Sequence, residues 1–190
     1  MLEDPERFVE LPPSVVVDLL ALHGGETVAD FGAGTGMYSL PIAAAVPRGR
    51  LYAIEPLPEL LQRLDDKLRA DPPGAAQLTP VQTDGERIPL PDGAVDAAVM
   101  INVVHHVYDQ PRTLAELVRI LRPGGRLVVL EFGDIERPVG PERGHVLPHD
   151  QLRALVTGLG LRELAVYEPG TLLRYQIAIV AEKPGPEAAA

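Results

Sequence analysis

Asp30 stands near the end of a short apolar run, and three glycines follow it at alternating positions: residues 26–36 read ETVADFGAGTG. Glycine loses more chain entropy on folding than any other residue. Gly32, Gly34 and Gly36 therefore each imply a backbone shape or a close approach that a side chain would block. A second acid, Glu55, closes the next apolar run, RLYAIEP at 50–56. Two strand-ending carboxylates beside a glycine loop can hold a nucleotide-type ligand, with Glu55 accepting ribose hydroxyls. A dinucleotide and S-adenosylmethionine both answer that description.

Spacing and charge separate the two. The dinucleotide fingerprint is G-x-G-x-x-G after a strand. Here the glycines run G-x-G-x-G, and Met37 stands where the third should fall. Asp30 would also set a negative charge beside an incoming pyrophosphate, and like charges repel. A carboxylate there suits a ligand with a positive group and no phosphate. S-adenosylmethionine carries an ammonium and a sulfonium, so the loop reads as a methyl-donor site.

Further polar groups stand near the end of the run AVDAAVMINVV at 94–104 and just after it: Asn102, then the pair His105 and His106. Adjacent side chains on extended backbone point to opposite faces, so at most one of the two histidines is expected to face a site at that strand end. Metal chelation is disfavoured, because two neighbours do not easily share one ion and no third ligand is spaced nearby. His145 and His149 fall in GHVLPHD, which reads as local structure, with His145 kept as a substrate-side candidate. Methyl transfer to a ready nucleophile needs mainly alignment and exclusion of water. A base is needed only where the acceptor must lose a proton, and His105, His106 and His145 are the candidates.

These groups need a scaffold, and the apolar periodicity supplies one. Helical patterns occupy 14–22 with Ser14 as cap, 36–46, 57–70, 111–125 and 149–161; strand-like runs occupy 27–31, 50–56, 76–84, 94–104, 126–132, 162–168 and 172–183. Strict alternation implies a parallel sheet with helices on both faces, and the last two strands imply an antiparallel hairpin. The expected architecture is an α/β, Rossmann-like three-layer sandwich on a seven-stranded, mostly parallel sheet, with its site at the carboxyl ends of the strands. Residues 1–22 are expected to form a helical segment over the site, 23–183 the domain, and 184–190 a disordered tail.

Composition narrows the partners. A formal charge of −10 and no clustered Lys or Arg disfavour a polyanion, since nucleic-acid binding rests on a basic face. The absence of cysteine removes disulfides, thiolate nucleophiles and Cys-ligated zinc. The acidic, proline-broken start does not read as a signal peptide and no apolar run spans a bilayer, so the expected location is cytoplasmic.

The motifs together resemble the class I S-adenosylmethionine-dependent methyltransferases. VADFGAGTG looks like their first motif and Glu55 like the acid that holds the ribose. The block QTDGERIPLPDGAVDAAVMINVVHHV is similar to the next, with Asp84 beside the adenine, and LVRILRPGGRLVVLEF to the helix, turn and strand after it. The likeness covers residues 14–132, and the remainder in element order. Within the family it is greatest to the small type-11 branch, which includes ubiquinone/menaquinone-biosynthesis C-methyltransferases and arsenite methyltransferases. The latter depend on cysteines that this chain lacks. The resemblance implies cofactor contacts at Asp30, Phe31, Gly32, Ala33, Gly34, Gly36, Tyr38, Glu55, Pro56, Asp84, Gly85 and Asn102, and a small-molecule acceptor. Two competitors remain: a cofactor-binding protein on the same fold without catalysis, and a nicotinamide oxidoreductase, which Met37 and Asp30 disfavour.

Overall fold

A computed structural model describes residues 6–185 apart from residues 86 and 139. Residues 186–190 of the expected tail, and residues 1–5, lie outside the described residues. The helices are α1 (Glu6–Glu10), α2 (Pro13–Leu20), α3 (Ser39–Ala44), α4 (Pro58–Leu68), α5 (Gln110–Ile120) and α6 (His149–Thr157). The strands are β1 (Thr27–Phe31), β2 (Arg50–Glu55), β3 (Leu78–Gln82), β4 (Val95–Ile101), β5 (Leu121–Phe132), β6 (Arg162–Tyr167) and β7 (Gln176–Glu182). No described helix is long and apolar enough to cross a membrane.

All seven strands form one sheet in the order β3-β2-β1-β4-β5-β7-β6. The first five run parallel, and β7 pairs antiparallel with both β5 and β6. The expected sandwich and hairpin are therefore present. Burial explains why β7 takes the inner place. Its residues from Gln176 to Ala181 are all buried, whereas every residue of β6 is at least partly exposed, as an edge strand tolerates.

Period-two alternation sorts side chains into two cores. Val28, Leu51, Val99, Val128 and Val180 pack with α2, α3 and α4 on one face; Ala29, Ile54, Met100, Val129 and Ile179 pack with α5 and α6 on the other. Asp30 shares the parity of Val28, and Glu55 that of Leu51 and Ala53. Both carboxylates therefore leave the sheet on the α3/α4 face, from strands paired in register (Asp30 opposite Ala53). Glu131 shares the parity of Leu127 and Val129 and leaves on the α5 face.

Several element ends differ from the expectation. The helix after the glycine loop begins at Ser39, three residues late, because the loop closes a turn of its own, with Gly36 N–H donating to Ala33 O. Pro12, not Ser14, is the residue that caps α2, with Pro13 in the first turn, where its missing N–H matters least. The helix expected to reach residue 125 stops at Ile120, where Lys183 Nζ donates to the carbonyls of Val118 and Leu121. Pro123, Gly124 and Gly125 then fall inside a bulge that opens β5. The strand expected at 94–104 ends at Ile101. Asn102 takes a left-handed φ of 53° there, and Val104–His106 form a 3-10 turn.

Candidate functional site

Beyond the carboxyl ends of β1, β2 and β4 the chain encloses a cavity of ≈ 800 Å³, within the range of small-molecule sites. Its floor is the glycine loop. Gly32 N–H and Ala33 N–H both donate to Ile54 O, at 2.8 and 3.2 Å, which pins the loop to β2. Gly32 adopts φ +76°, and a Cβ there would meet Val103 Cγ2 at 2.4 Å. Only glycine fits.

The two loop carboxylates are buried and already oriented. Asp30 is 2% exposed and accepts a hydrogen bond from Ser39 Oγ at 2.6 Å. Burial pushes its carboxyl up to about 6; the Ser39 hydrogen bond opposes that rise and the charge of Glu55 adds to it. Glu55 is 5% exposed and accepts the Gly34 amide on Oε2 at 2.8 Å and the Leu57 amide on Oε1 at 3.1 Å. Each of its oxygens keeps a second lone pair for a hydroxyl donor.

Two buried oxygens of the same lining, Thr35 Oγ1 and Asn102 Oδ1, have no hydrogen-bond partner among the described residues, and both can accept. A buried polar atom left unsatisfied costs roughly 1–3 kcal/mol, so a ligand that donates to it recovers that energy. These acceptors and two acids make a donor-seeking, anionic lining around the loop. S-adenosylmethionine fits it through its ribose hydroxyls and ammonium. A pyrophosphate fits it poorly, because its negative charges would face the buried carboxyl groups of Asp30 and Glu55.

The remaining sequence-derived positions divide. Phe31, Ala33, Gly34, Pro56, Asp84 and Gly85 line the cavity. Asp84 also stabilises its own turn, accepting the Arg87 amide at 2.8 Å. Gly36 is not in the lining: its φ is +80°, and a Cβ would meet Leu64 Cδ1 at 2.5 Å, so it lets the loop pack on α4. Tyr38 lines the cavity, but its hydroxyl donates away from it, to Leu11 O at 3.1 Å, while Phe8 stands edge-on to its ring at 5.6 Å. It anchors the segment carrying α1, whose Arg7 and Glu10 join the lining. Burial pushes the Tyr38 hydroxyl up to about 12.

The histidines fall out differently from the extended-strand expectation. His105 and His106 both line the cavity, because the 3-10 turn brings their rings together with centroids 4.0 Å apart. Burial and the neighbouring His105 hold His106 below the ordinary imidazole range, with Glu131 opposing. His145 is outside the lining and 72% exposed, with Nδ1 3.8 Å from a Glu142 carboxylate oxygen. His149 is local structure: Nδ1 lies 2.9 Å from Glu168, and Nε2 accepts the Asp134 amide.

One group the motif reading passed over is Glu131. It is wholly buried, and its Oε1 lies 2.8 Å from His105 Nδ1. The signal was available in RLVVLEF, an acid closing an apolar strand as Asp30 and Glu55 do.

Comparison with known proteins agrees with this geometry. The type-11 methyltransferase domain model matches residues 29–129, from β1 through most of β5. A ubiquinone/menaquinone biosynthesis C-methyltransferase of Syntrophotalea carbinolica is 35% identical over 120 residues, covering 63% of this chain and 49% of that protein. An uncharacterized methyltransferase of a Mycobacterium species is 37% identical over 152 residues, covering 75% of this chain and 55% of that protein. The chain thus spans about half the length of these relatives. The crystal structure of a SAM-dependent methyltransferase from Aquifex aeolicus superposes with a TM-score of 0.87 at 27% identity, covering 95% of this chain and 94% of that one. Glycine loop, strand-end acids, sheet order and these matches lead to one conclusion: the chain belongs to the type-11 methyltransferase domain family, a branch of the class I S-adenosylmethionine-dependent methyltransferases.

Proposed function

We propose that the protein transfers a methyl group from S-adenosylmethionine to a small-molecule acceptor. The observation that carries this reading is one continuous cavity that joins the donor-seeking loop around Asp30, Glu55 and Asn102 to the His105–His106 turn. When bound, the cofactor supplies a methyl already activated by its sulfonium. Glu55 accepts the ribose hydroxyls, Asp30 meets the positive charge, and Asn102 Oδ1 accepts one further donor. Asp84 and Gly85, also in the lining, suit the adenine end. Arg7 and Glu10 of α1 join the lining, which supports a role for the N-terminal segment in alignment and exclusion of water.

His105 and His106 are the proton-handling candidates, and His145 is dropped because it stands away from the cavity. A small acceptor is supported by the charge of −10, which repels nucleic acid. The test has two steps. Calorimetry with S-adenosylmethionine, S-adenosylhomocysteine and nicotinamide dinucleotides should show binding of the first two alone. Incubation of a metabolite extract with methyl-labelled donor should then give one labelled product by mass spectrometry. Tight binding without any labelled product would leave a cofactor-binding protein without catalysis.

A further inference from the structure

Asp30 and Glu55 have a task in the cofactor reading; Glu131, next to last in β5, has none. It is 0% exposed, yet it meets three N–H groups. Its Oε1 accepts the Phe132 amide at 2.7 Å and lies 2.8 Å from His105 Nδ1, and its Oε2 accepts the His105 amide at 3.1 Å. With Glu131 ionised the carboxylate only accepts, and a neutral His105 ring then carries its hydrogen on Nδ1 and keeps the lone pair on Nε2. The His105 side chain is 6% exposed, and its ring lines the cavity beside Val103, Val107 and Phe132. Oriented imidazole and apolar wall therefore share one place.

We infer that Glu131 is a positioning residue that fixes His105 with a basic Nε2, and that His105 removes the proton from a weakly acidic hydroxyl of the methyl acceptor. The inference rests on the methyl-transfer reading above. As the acceptor oxygen bonds to the methyl carbon, the methyl–sulfur bond breaks and its electron pair stays on sulfur. The hydroxyl proton passes to Nε2, and the imidazolium so formed faces the Glu131 carboxylate until water takes the proton. Among nitrogen, sulfur and oxygen acceptors, a hydroxyl most needs this arrangement. A neutral amine already offers a lone pair, and a thiol ionises near about 8.5, whereas a phenol such as tyrosine holds its proton to about 10.

The test measures methyl-labelled S-adenosylmethionine turnover by the wild type, His105→Ala and Glu131→Gln. The acceptors are an unactivated phenol, a nitrophenol largely ionised at the assay pH, an aryl amine and an aryl thiol. With the unactivated phenol, His105→Ala should lose roughly 10²–10⁴ in rate, with Glu131→Gln between it and the wild type. With the nitrophenol the loss in both variants should be at least tenfold smaller than with the unactivated phenol, because no proton remains to be removed. Equal loss on both phenols marks a structural pair and overturns the inference, as does methylation of the amine or thiol alone, or of no acceptor while S-adenosylhomocysteine still binds. Failure of S-adenosylhomocysteine to bind the wild type would sink the underlying methyl-transfer reading instead. Independently of turnover, nitrogen-15 spectra of histidine-labelled protein should show His105 protonated on Nδ1 in the wild type and mixed tautomers in Glu131→Gln. A wild-type His105 protonated on Nε2 overturns the inference even if a variant fails to fold.

Discussion

Asp30→Asn should make the ligand-free protein more stable and a poorer cofactor binder. The carboxyl is buried at 2% exposure with one hydroxyl donor, Ser39 Oγ, and its folded value is raised from 3.8 to about 6. A rise of about two units corresponds to roughly 3 kcal/mol of penalty on the charged form. The direction with pH follows from proton counting. Between about 4 and 6 the folded state holds a proton that the unfolded state has released, so stability falls as pH climbs through that window and levels above it. Asparagine has no charge to desolvate, and its carbonyl can still accept from Ser39. The stability gap between variant and wild type should therefore be small near pH 4 and open to about 3 kcal/mol by pH 8. For a chain of 190 residues that is a melting-temperature rise of roughly 6–12 °C.

Urea titrations of both proteins at pH 4.5, 6 and 8 measure the gap. The glutamates held below their ordinary range act in the opposite sense. Glu116, held low by its hydrogen bond from Arg119, and Glu26, held low by amide donors against its own burial, stabilise above about 4.5, and that stabilisation is lost as pH falls below it. Both proteins contain them, so they cancel in the difference. A variant no more stable than wild type at pH 8, or a gap that does not change with pH, would refute the reasoning. The same group links binding to protons. A cationic ligand that ionises Asp30 should release a proton near pH 6, visible as a buffer-dependent binding enthalpy that Asp30→Asn abolishes.

Glu55→Gln should weaken S-adenosylhomocysteine binding roughly 10- to 150-fold in calorimetry, the scale for hydrogen bonds to a charged group. Gln is the milder change, because its one carbonyl oxygen can still accept one of the Gly34 and Leu57 amides, whereas Ala would release both. Gly32→Ala should destabilise the fold by its left-handed φ, roughly 1–2 kcal/mol, plus the Val103 overlap; adding Val103→Ala should restore only the overlap part in thermal melts. Tyr38→Phe should cost about 0.5–1.5 kcal/mol and speed amide hydrogen exchange around residues 7–11, since the Leu11 anchor is lost.

The sheet and the loop were legible because both rest on local pattern. The run 94–104 reads as a buried strand and holds one from Val95 to Ile101, and alternating glycines after an acid read as a ligand loop or a tight turn. What escaped depends on partners distant in sequence. Gly36 and Gly32 look alike as letters, yet Leu64 lies against one and Val103 against the other. The histidine pair was misplaced because Asn102 turns the backbone out of the strand two residues after Met100. Extended-chain alternation then no longer applies to positions 105 and 106. Tyr38 reads as an aromatic beside a cofactor loop, and only the fold shows its hydroxyl committed to Leu11.

Parity along the strands explains how one sheet edge serves two chemistries. Asp30 and Glu55 sit at positions that face α3 and α4, so their charges gather on one side of the edge, under the glycine loop. Glu131, next to last in β5, has the opposite parity and turns towards the His105 turn. A one-residue shift in β5 would exchange Glu131 for Leu130 or Phe132, and His105 would lose its acceptor. The register of β5 against β4 (Ile101 opposite Leu130) is held after the bulge at Val95 and Ala97. The bulge absorbs the Pro-Gly-Gly segment before the ladder becomes regular, so the chain reaches Glu131 in phase. On the proposed reading, the separation of donor-binding acids from the proton-handling pair is thus a consequence of strand register, and the glycine pair at 124–125 helps to set it.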